Sequence, residues 1–211
     1  DFKNFLIHQI DKRGIAVHLN TEATPEMIKA ENYDVVIAAT GATPMVLPIP
    51  GADPEKLFFA QETFAHPEKL GENVVIIGGG EVGVEIGIYL SRKGHKASVL
   101  EMRDRLAADS TAIHYYSMLE EAWEAEPNFT GITGARVAAI KDGAVEYIDK
   151  DGNTQSVSAD SVVMSAGMRP NKDLALSFYG CAKEFYMIGD CKKAATIQQG
   201  MRSAYATAMR I

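Results

Sequence analysis

NVVIIGGGEVGVEIGIYLSRKGHKASVLEM, residues 73–102, is the stretch that decides the fold. It opens with a β-branched run, residues 74–77, which predicts a strand buried on both faces. A glycine-rich turn follows, and then a helix that runs to about Arg92 and is ended by Gly94. A second buried strand over residues 96–100 completes a βαβ unit. We therefore predict an α/β fold with a parallel sheet built around this unit.

The turn carries glycines at the spacing G-x-G-x-x-G, namely Gly78, Gly80 and Gly83. In this pattern the first glycine permits a tight turn, the second lets a pyrophosphate approach the backbone, and the third lets the helix pack on the strand. The helix N-terminus offers N–H groups and the positive end of its dipole to the phosphates. The turn therefore predicts a dinucleotide site, although a glycine-rich βα turn that binds nothing shares the local pattern.

Glu101 ends the second strand, 23 residues after Gly78, where a carboxylate accepts hydrogen bonds from ribose hydroxyls. A 2′-phosphate at this position would meet a like charge, so we expect NADH rather than NADPH. Arg103 and Arg105 follow closely and would accommodate a phosphate if the loop turned them inward, which keeps NADPH open. The cofactor-binding residues assigned around this turn are Gly78, Gly79, Gly80, Glu81, Val82, Gly83, Glu101, Met102 and Arg103.

The composition is that of a globular protein with a substantial core. The 211 residues are 46% hydrophobic and 23% charged, and this length allows one large or two small domains. A net charge of −7 without a Lys/Arg run argues against a nucleic-acid partner. No apolar run reaches the roughly 18 residues that span a bilayer, and no signal peptide is visible, so we expect a cytoplasmic protein without a membrane partner. Cys181 and Cys191 lack metal-ligand spacing, which predicts reduced thiols and no metal site.

Elsewhere the pattern predicts helices and strands on either side of the central unit. Helices are expected at residues 2–12, 24–30, 109–126 and 196–211, with short helical turns in 58–69. Strands are expected at residues 15–19, 33–39, 129–133, 135–141, 144–149, 154–158, 161–166 and 184–188. The turns Asp142-Gly143 and Asp151-Gly152 predict hairpins, and hence a β-meander. The loop rich in proline and glycine at 44–54 is typical of a connection between domains.

Several motifs follow one another in an order that resembles a known family. They are YDVVIAATGATP (33–44), IPG (49–51), VVIIGGGEVGVE (74–85) with VLE (99–101), SADSVVMSAGMRPN (158–171) and FYMIGDC (185–191). The order resembles the two-dinucleotide-binding flavoprotein fold of pyridine nucleotide-disulfide oxidoreductases. In detail it looks most like the C-terminal half of NADH:flavin oxidoreductases related to 2,4-dienoyl-CoA reductase and trimethylamine dehydrogenase. In those proteins an old-yellow-enzyme-like barrel with FMN and an iron–sulfur cluster precedes this region.

The resemblance implies further roles on the nicotinamide side. Glu85 matches the acidic residue that follows the third glycine in this family and lies near the nicotinamide. Gly167 matches a glycine that ends a strand beside the same cofactor. Glu85 also has a structural interpretation as a solvated helix residue, because Glu is a good helix former.

On the flavin side, the resemblance assigns two pairs of residues to FAD. Thr40 and Gly41 match the turn that passes close to FAD, and Gly189 and Asp190 match the pair whose carboxylate accepts hydrogen bonds from it. Each pair has a structural alternative. The first would be a strand-ending turn, and Asp190 would cap the segment that follows it.

The domain organisation also follows from the resemblance. Residues 1–57 and 173–211 would be the first and last parts of a flavin-binding domain, and residues 58–172 an inserted NAD(P)H-binding domain. The flavin domain of the family opens with a second glycine fingerprint that this chain lacks, so we expect it to be truncated. Since the chain starts at Asp1 rather than Met, we also expect a fragment of a longer protein. FMN and a 4Fe–4S cluster, for which no four-cysteine set is present, would belong to the missing N-terminal region.

The resemblance implies a nicotinamide-binding module that passes hydride from NADH to FAD in the full-length enzyme, with no catalytic side chain in this region. The fragment alone is expected to be inactive. Expected partners are dinucleotides and the missing barrel of the same chain, and a homo-oligomer is left open. One rival is a non-catalytic NAD(H)-binding or redox-sensing domain. Another is a ferredoxin or disulfide reductase of the same fold, although no C-x4-C pair supports a dithiol mechanism.

Overall fold

The computed structural model describes residues 2–110 and 112–211. The helices are α1 Phe2–Lys12, α2 Pro25–Ala30, α3 Ala60–Ala65, α4 Glu81–Arg92, α5 Ile113–Glu124, α6 Lys172–Ser177 and α7 Ile197–Ala208. The strands are β1 Val35–Ala38, β2 Ala42–Pro44, β3 Phe58–Phe59, β4 Asn73–Ile77, β5 Lys96–Leu100, β6 Phe129–Ile132, β7 Arg136–Lys141, β8 Ala144–Ile148, β9 Thr154–Ser158, β10 Ser161–Met164, β11 Met168–Pro170 and β12 Glu184–Met187. The chain divides into a smaller unit, residues 2–41 with 171–211, and a larger unit, Ala42–Pro170.

The larger unit is built on a parallel sheet with strand order β3-β10-β4-β5-β6. Strand β4 lies in its middle, and its side chains alternate between two hydrophobic layers. Val74 and Ile76 pack into the layer with helix α4, whereas Val75 and Ile77 pack into the layer with the β-meander. This two-sided burial explains the unbroken β-branched run and confirms the predicted α/β fold with a parallel sheet.

Helix α4 packs closely on the sheet because Gly87, which faces β5 and β6, has no side chain. A Cβ on Gly87 would lie 2.6 Å from the Phe129 ring and 2.8 Å from Val99 Cγ2. Ile86 and Leu90 of the same helix are fully buried. The apolar face of the helix therefore lies directly against β5 and β6, which fixes the position of the helix N-terminus above the sheet edge.

The second face of the sheet is covered by the antiparallel meander β7-β8-β9. Its hairpin turns contain Gly143 and Gly152, both with positive φ, as the sequence predicted. The 44–54 loop, predicted as a connection between domains, instead belongs to this layer of the larger unit. The N–H of Ile140 donates to Pro50 O at 2.8 Å, and Leu47 and Ile49 pack against the same core.

The smaller unit has little core of its own. Strands β1 and β12 pair in parallel, with Ala38 opposite Met187. Its buried cluster consists of Ala38, Ala175 and Cys191. Helices α1 and α7 bury no residue among those described, although α7 begins with a complete capping box between Thr196 and Gln199.

The structure corrects several element predictions. Residues 15–19 form no strand: Ile15, Val17 and Leu19 are exposed, so their alternation has no partner strand to bury it. The predicted 109–126 helix begins only at Ile113, and Thr111 lies outside the described residues. Strand β6, for which the sequence predicted no sheet, is an outer strand of the parallel sheet. No helix in the described ranges is both long and apolar enough to cross a membrane.

Candidate functional site

A cavity of about 800 Å³ opens at the carboxyl edge of the parallel sheet. Residues that follow β3, β4, β5 and β10 line it, because the carboxyl ends of parallel strands meet at one edge. Of the residues predicted to bind a cofactor, the cavity wall contains Gly78, Gly80, Glu81, Val82, Gly83, Glu101, Met102, Arg103 and Gly167. The sequence therefore named residues from separate segments that the fold brings together.

The turn after β4 has a shape that side chains would disrupt. Gly78 has φ +107°, and a Cβ on it would lie 2.4 Å from Ser165 O. A Cβ on Gly83 would lie 1.9 Å from Gly78 O, inside the turn itself. Gly80 differs, since the nearest atoms to an added Cβ are the carboxylate oxygens of Asp109, at 3.1 and 3.3 Å. The first and third glycines are thus required by the backbone, and the second faces a space that holds a negatively charged group.

The Glu101 side chain stabilises this turn through hydrogen bonds. Its side chain is buried, and Oε2 accepts a hydrogen bond from Gly79 N at 2.7 Å. Oε1 accepts from Arg103 N at 2.9 Å and from Arg103 Nε at 3.2 Å. A carboxylate offers about four lone-pair sites, so Oε2 retains capacity for a further donor. Gly79 is not in the cavity wall, and its part in the site is the N–H that Glu101 holds.

Asp109 is a site residue that the sequence analysis missed. Its Oδ1 accepts from the N–H of Glu81, the first residue of α4, at 3.3 Å. Arg103 Nη2 lies 3.8 Å from the same oxygen. Residue 109 falls in a segment predicted to be helical, and no local pattern places it against a turn 28 positions earlier.

Glu85 lies outside the described cavity wall and faces helix α5 instead. The Tyr115 hydroxyl donates a hydrogen bond to Glu85 Oε1. This bond, followed by desolvation and the negative charges of Glu85 and Glu81, raises the pKa of Tyr115 to about 12. The role of Glu85 near the nicotinamide stays a prediction. In the structure its hydrogen bond with Tyr115 joins helices α4 and α5.

Two arginines near the site differ in placement. Arg105 lies over the Tyr116 ring, 4.9 Å from its centroid, and does not line the cavity. Arg136, at the start of β7, does line it. The other lining residues that the sequence analysis did not select are Pro44, Leu47, Ile49, Phe59, Ala60, Gln61, Ile77, Leu100, Ala135, Val137, Met164, Ser165, Ala166 and Met168. Ser165 and Ala166 could have been predicted as lining residues, because they directly follow the parallel strand β10.

In the smaller unit, Thr40-Gly41 and Gly189-Asp190 lie at one sheet edge, because they follow the paired strands β1 and β12. Gly41 and Gly189 both have positive φ, at +71° and +64°. Asp190 Oδ1 accepts from Ala195 N at 3.3 Å, so this carboxylate does cap the following segment. Gly189 N donates to Ser203 Oγ at 3.0 Å.

Other parts of the described chain offer less chemistry. A smaller cavity, about 330 Å³, lies at the amino ends of β4 and β5 and has no glycine turn in its wall. Among residues 2–110 and 112–211, no group of three or more His, Cys, Asp or Glu side chains is placed to hold a metal ion. Cys181 and Cys191 are both buried and unpaired as a disulfide.

Comparison with known proteins places the chain among oxidoreductases. The bilirubin reductase of Mediterraneibacter gnavus is 32% identical over 205 residues, which cover 97% of this chain and 32% of that protein. An NADH oxidase of Thermoanaerobacter brockii is 29% identical over 215 residues, covering 100% of this chain and 33% of the relative. The structure of 2-naphthoyl-CoA reductase with 2-naphthoyl-CoA superposes with a TM-score of 0.88 at 32% identity, over 97% of this chain and 31% of that one.

The chain thus spans about a third of the length of these relatives. The family description for pyridine nucleotide-disulphide oxidoreductases matches residues 9–209, nearly the whole chain. The match includes the glycine turn, Glu101 and the Gly189-Asp190 pair. This chain is therefore a member of the pyridine nucleotide-disulphide oxidoreductase family of flavin-dependent, NAD(P)H-using enzymes.

Proposed function

We propose that the larger unit binds NADH in the cavity at the carboxyl edge of its sheet, with the pyrophosphate at the N-terminus of α4. The observation that carries the proposal is the turn over Gly78–Gly83. Its first and third glycines are required by the backbone, and the three atoms nearest to an added Cβ on Gly80 all belong to the carboxyl group of Asp109, an exposed side chain. The N–H groups of the first helical turn and the helix dipole favour an anion at that place, where the Asp109 carboxylate already lies.

The residues of this chain would bind and orient the nucleotide rather than take part in proton transfer. Oε2 of Glu101 would accept a hydrogen bond from a ribose hydroxyl while still holding the N–H of Gly79. Gly167, with φ +96° and nothing closer than Met45 Cε at 3.8 Å to an added Cβ, leaves the cavity wall open for a planar ring. When bound, the nicotinamide supplies a hydride and the flavin accepts it.

The sequence assigned residues 1–57 and 173–211 to a flavin-binding domain and residues 58–172 to the nicotinamide-binding domain. We further propose this division with its first boundary moved to Gly41, because Leu47, Ile49 and Leu57 pack into the core of the larger unit. Thr40-Gly41 and Gly189-Asp190 fit the flank of FAD, because they follow adjacent parallel strands. A second glycine fingerprint for the FAD pyrophosphate is absent from the sequence. FMN and a 4Fe–4S cluster would belong to other parts of the complete protein.

The complete protein would be a flavin-dependent oxidoreductase that passes hydride from NADH to FAD. Its similarity to a bilirubin reductase and to 2-naphthoyl-CoA reductase supports a reductase, and the order of the sequence motifs is the basis for proposing a relation to the 2,4-dienoyl-CoA reductase group. A dithiol mechanism has less support, because Cys181 and Cys191 are both buried. Cys191 is fully buried, with Sγ against the carbonyl oxygens of Ala38 and Ile188. The complete protein should be yellow and should bleach with NADH, which a non-catalytic NAD(H) sensor would not do.

The test of the binding site is the substitution Gly80→Val, followed by calorimetric titration with NADH. The three atoms nearest to the added Cβ all belong to the carboxyl group of the exposed Asp109 side chain, so the fold should survive. We expect NADH affinity to fall by at least about tenfold, because the new atoms occupy the pyrophosphate position. Gly83→Val is unsuitable, since its Cβ would lie 1.9 Å from a backbone oxygen.

Gly200→Val is the matched control. Gly200 lies in helix α7, has nothing within 4 Å of an added Cβ, and is not in the cavity wall. NADH affinity should equal that of the wild-type chain in this variant. Equal affinity of wild type and Gly80→Val would refute the proposed site.

A further inference from the structure

The N-terminus of helix α4 already faces an anion that belongs to the protein. Asp109 Oδ1 accepts from Glu81 N at 3.3 Å, and Oδ2 would lie 3.1 Å from a Cβ on Gly80. The Asp109 side chain is 56% exposed, so burial does not force it into this position. Its carboxylate lies where the helix dipole and the first N–H groups attract negative charge.

The segment that carries Asp109 is fixed at its base and open at its tip. Ala107 N donates to Gly79 O at 2.7 Å, and Ala107 is fully buried. Leu106 is also buried, with Cδ2 2.8 Å from the Cβ position of Gly79. The base of the segment is thus attached to the glycine turn, whereas Asp109, two residues later, contacts the turn through its exposed side chain, so a change of its rotamer is enough to withdraw the carboxylate.

Arg103 connects the two carboxylates that flank the turn. Its Nε lies 3.2 Å from Glu101 Oε1, and its Nη2 lies 3.8 Å from Asp109 Oδ1. The guanidinium therefore neutralises part of the charge that Asp109 brings to the site. If Asp109 leaves, the same guanidinium becomes available to a phosphate, which it recognises with comparable geometry.

We propose that Asp109 is a built-in competitor of the dinucleotide pyrophosphate. In the nucleotide-free protein its carboxylate occupies the anion position at the N-terminus of α4, and a bound pyrophosphate displaces it and takes over Arg103. This inference rests on the proposed nucleotide site. It implies that the protein binds phosphate-containing ligands more weakly than it would without the Asp109 carboxylate. The affinity for nucleosides without phosphate should not depend on Asp109.

The experiment is titration of ADP and of adenosine into the wild-type chain and three variants. Asp109→Ala removes the competing carboxylate, and Asp109→Asn keeps its shape but removes its charge. Asp104→Ala is the matched control, since Asp104 is exposed in the same segment and does not line the cavity. We expect both Asp109 variants to bind ADP more tightly, Asp109→Ala by about tenfold, while Asp104→Ala stays close to wild type. Adenosine should bind all four proteins equally.

The outcomes separate this inference from the proposed function. Equal or weaker ADP binding by Asp109→Ala, compared with Asp104→Ala, overturns the competitor role. Tighter binding of adenosine as well as ADP also overturns it, because the effect would then not depend on phosphate. If Gly80→Val binds ADP as well as wild type does, the nucleotide site itself is misplaced, and the inference falls with it.

Discussion

At the scale of single residues, Glu101 serves the fold and the ligand at once. Its carboxylate holds the N–H of Gly79, so Glu101→Ala would disturb the turn as well as the charge. Glu101→Gln keeps an acceptor oxygen and removes the charge that repels a 2′-phosphate. We expect this variant to narrow the preference for NADH over NADPH by about tenfold, measured by parallel titrations with both nucleotides. An unchanged ratio would mean that the carboxylate does not choose the nucleotide.

Tyr115 gives a residue-scale prediction that depends on pH. Its pKa is raised to about 12 in the folded protein, mainly by the hydrogen bond to Glu85, from an ordinary value of 10.0. A raised pKa means that the neutral phenol stabilises the fold fully below pH 10, and that this contribution is lost as the pH rises towards 12. Tyr115→Phe should lower the free energy of unfolding by about 1 kcal/mol at neutral pH.

Urea unfolding of wild type and Tyr115→Phe at a series of pH values tests this. The difference in the free energy of unfolding between the two proteins should shrink between pH 10 and pH 12, because the stabilisation by the neutral wild-type phenol is lost in this interval. A difference that stays constant across this interval would show that the hydrogen bond does not control the titration of Tyr115.

At the scale of elements, two helical glycines should respond to alanine with opposite signs. Gly87→Ala places a methyl group 2.6 Å from the Phe129 ring, between α4 and the sheet. This overpacking should destabilise the protein by about 1–3 kcal/mol. Gly200→Ala meets nothing within 4 Å and only restricts the unfolded chain, so it should stabilise by about 0.5–1 kcal/mol. Thermal unfolding of both variants checks the signs, and a stabilising Gly87→Ala would contradict the close packing of α4.

The elements also show what could be predicted from the sequence. The βαβ unit of residues 73–102 was predictable because each part of it is decided by neighbouring residues. Strand β3 was not, since Phe58–Phe59 is recognisable as a strand only through its pairing with β10, more than 100 positions later. The antiparallel pair β2 and β11 depends on contacts equally distant along the chain.

The same distinction applies to the site. The glycines and Glu101 carry a local pattern, whereas Asp109 reaches the turn through the return of a loop. Alternation alone gave a wrong prediction for residues 15–19. Ile15, Val17 and Leu19 have the period of a strand, but a strand is stabilised by burial and by a partner strand. Composition and spacing therefore predicted the framework, and distant contacts added residues to it.

At the scale of the whole molecule, the two units differ in how completely they bury their apolar residues. The larger unit has two extended hydrophobic layers, one on each face of its sheet. The smaller unit buries only a small cluster, and Phe5 of α1 and Tyr205 of α7 remain exposed. Nucleotide binding should raise the free energy of unfolding of the larger unit, because a ligand stabilises the folded unit that binds it.

The last prediction concerns FAD and the 211-residue chain by itself. FAD in this fold needs a glycine-rich helix N-terminus for its pyrophosphate, and the sequence has one such fingerprint, Gly78–Gly83, which we assign to NADH. Among the described residues, β1 pairs only with β12, so the sheet beside Thr40-Gly41 and Gly189-Asp190 is too small to hold a flavin firmly.

We therefore expect the purified chain to be colourless, to remain so after incubation with FAD and desalting, and to reduce no artificial acceptor with NADH. Binding of NADH by the same preparation is the control, because it shows that the larger unit is folded. A chain that retained stoichiometric yellow flavin would mean that the Gly78–Gly83 turn holds FAD, and the assignment of the two nucleotides would have to be exchanged. The Gly80→Val variant would then lose the yellow colour, since its side chain would block the FAD pyrophosphate instead.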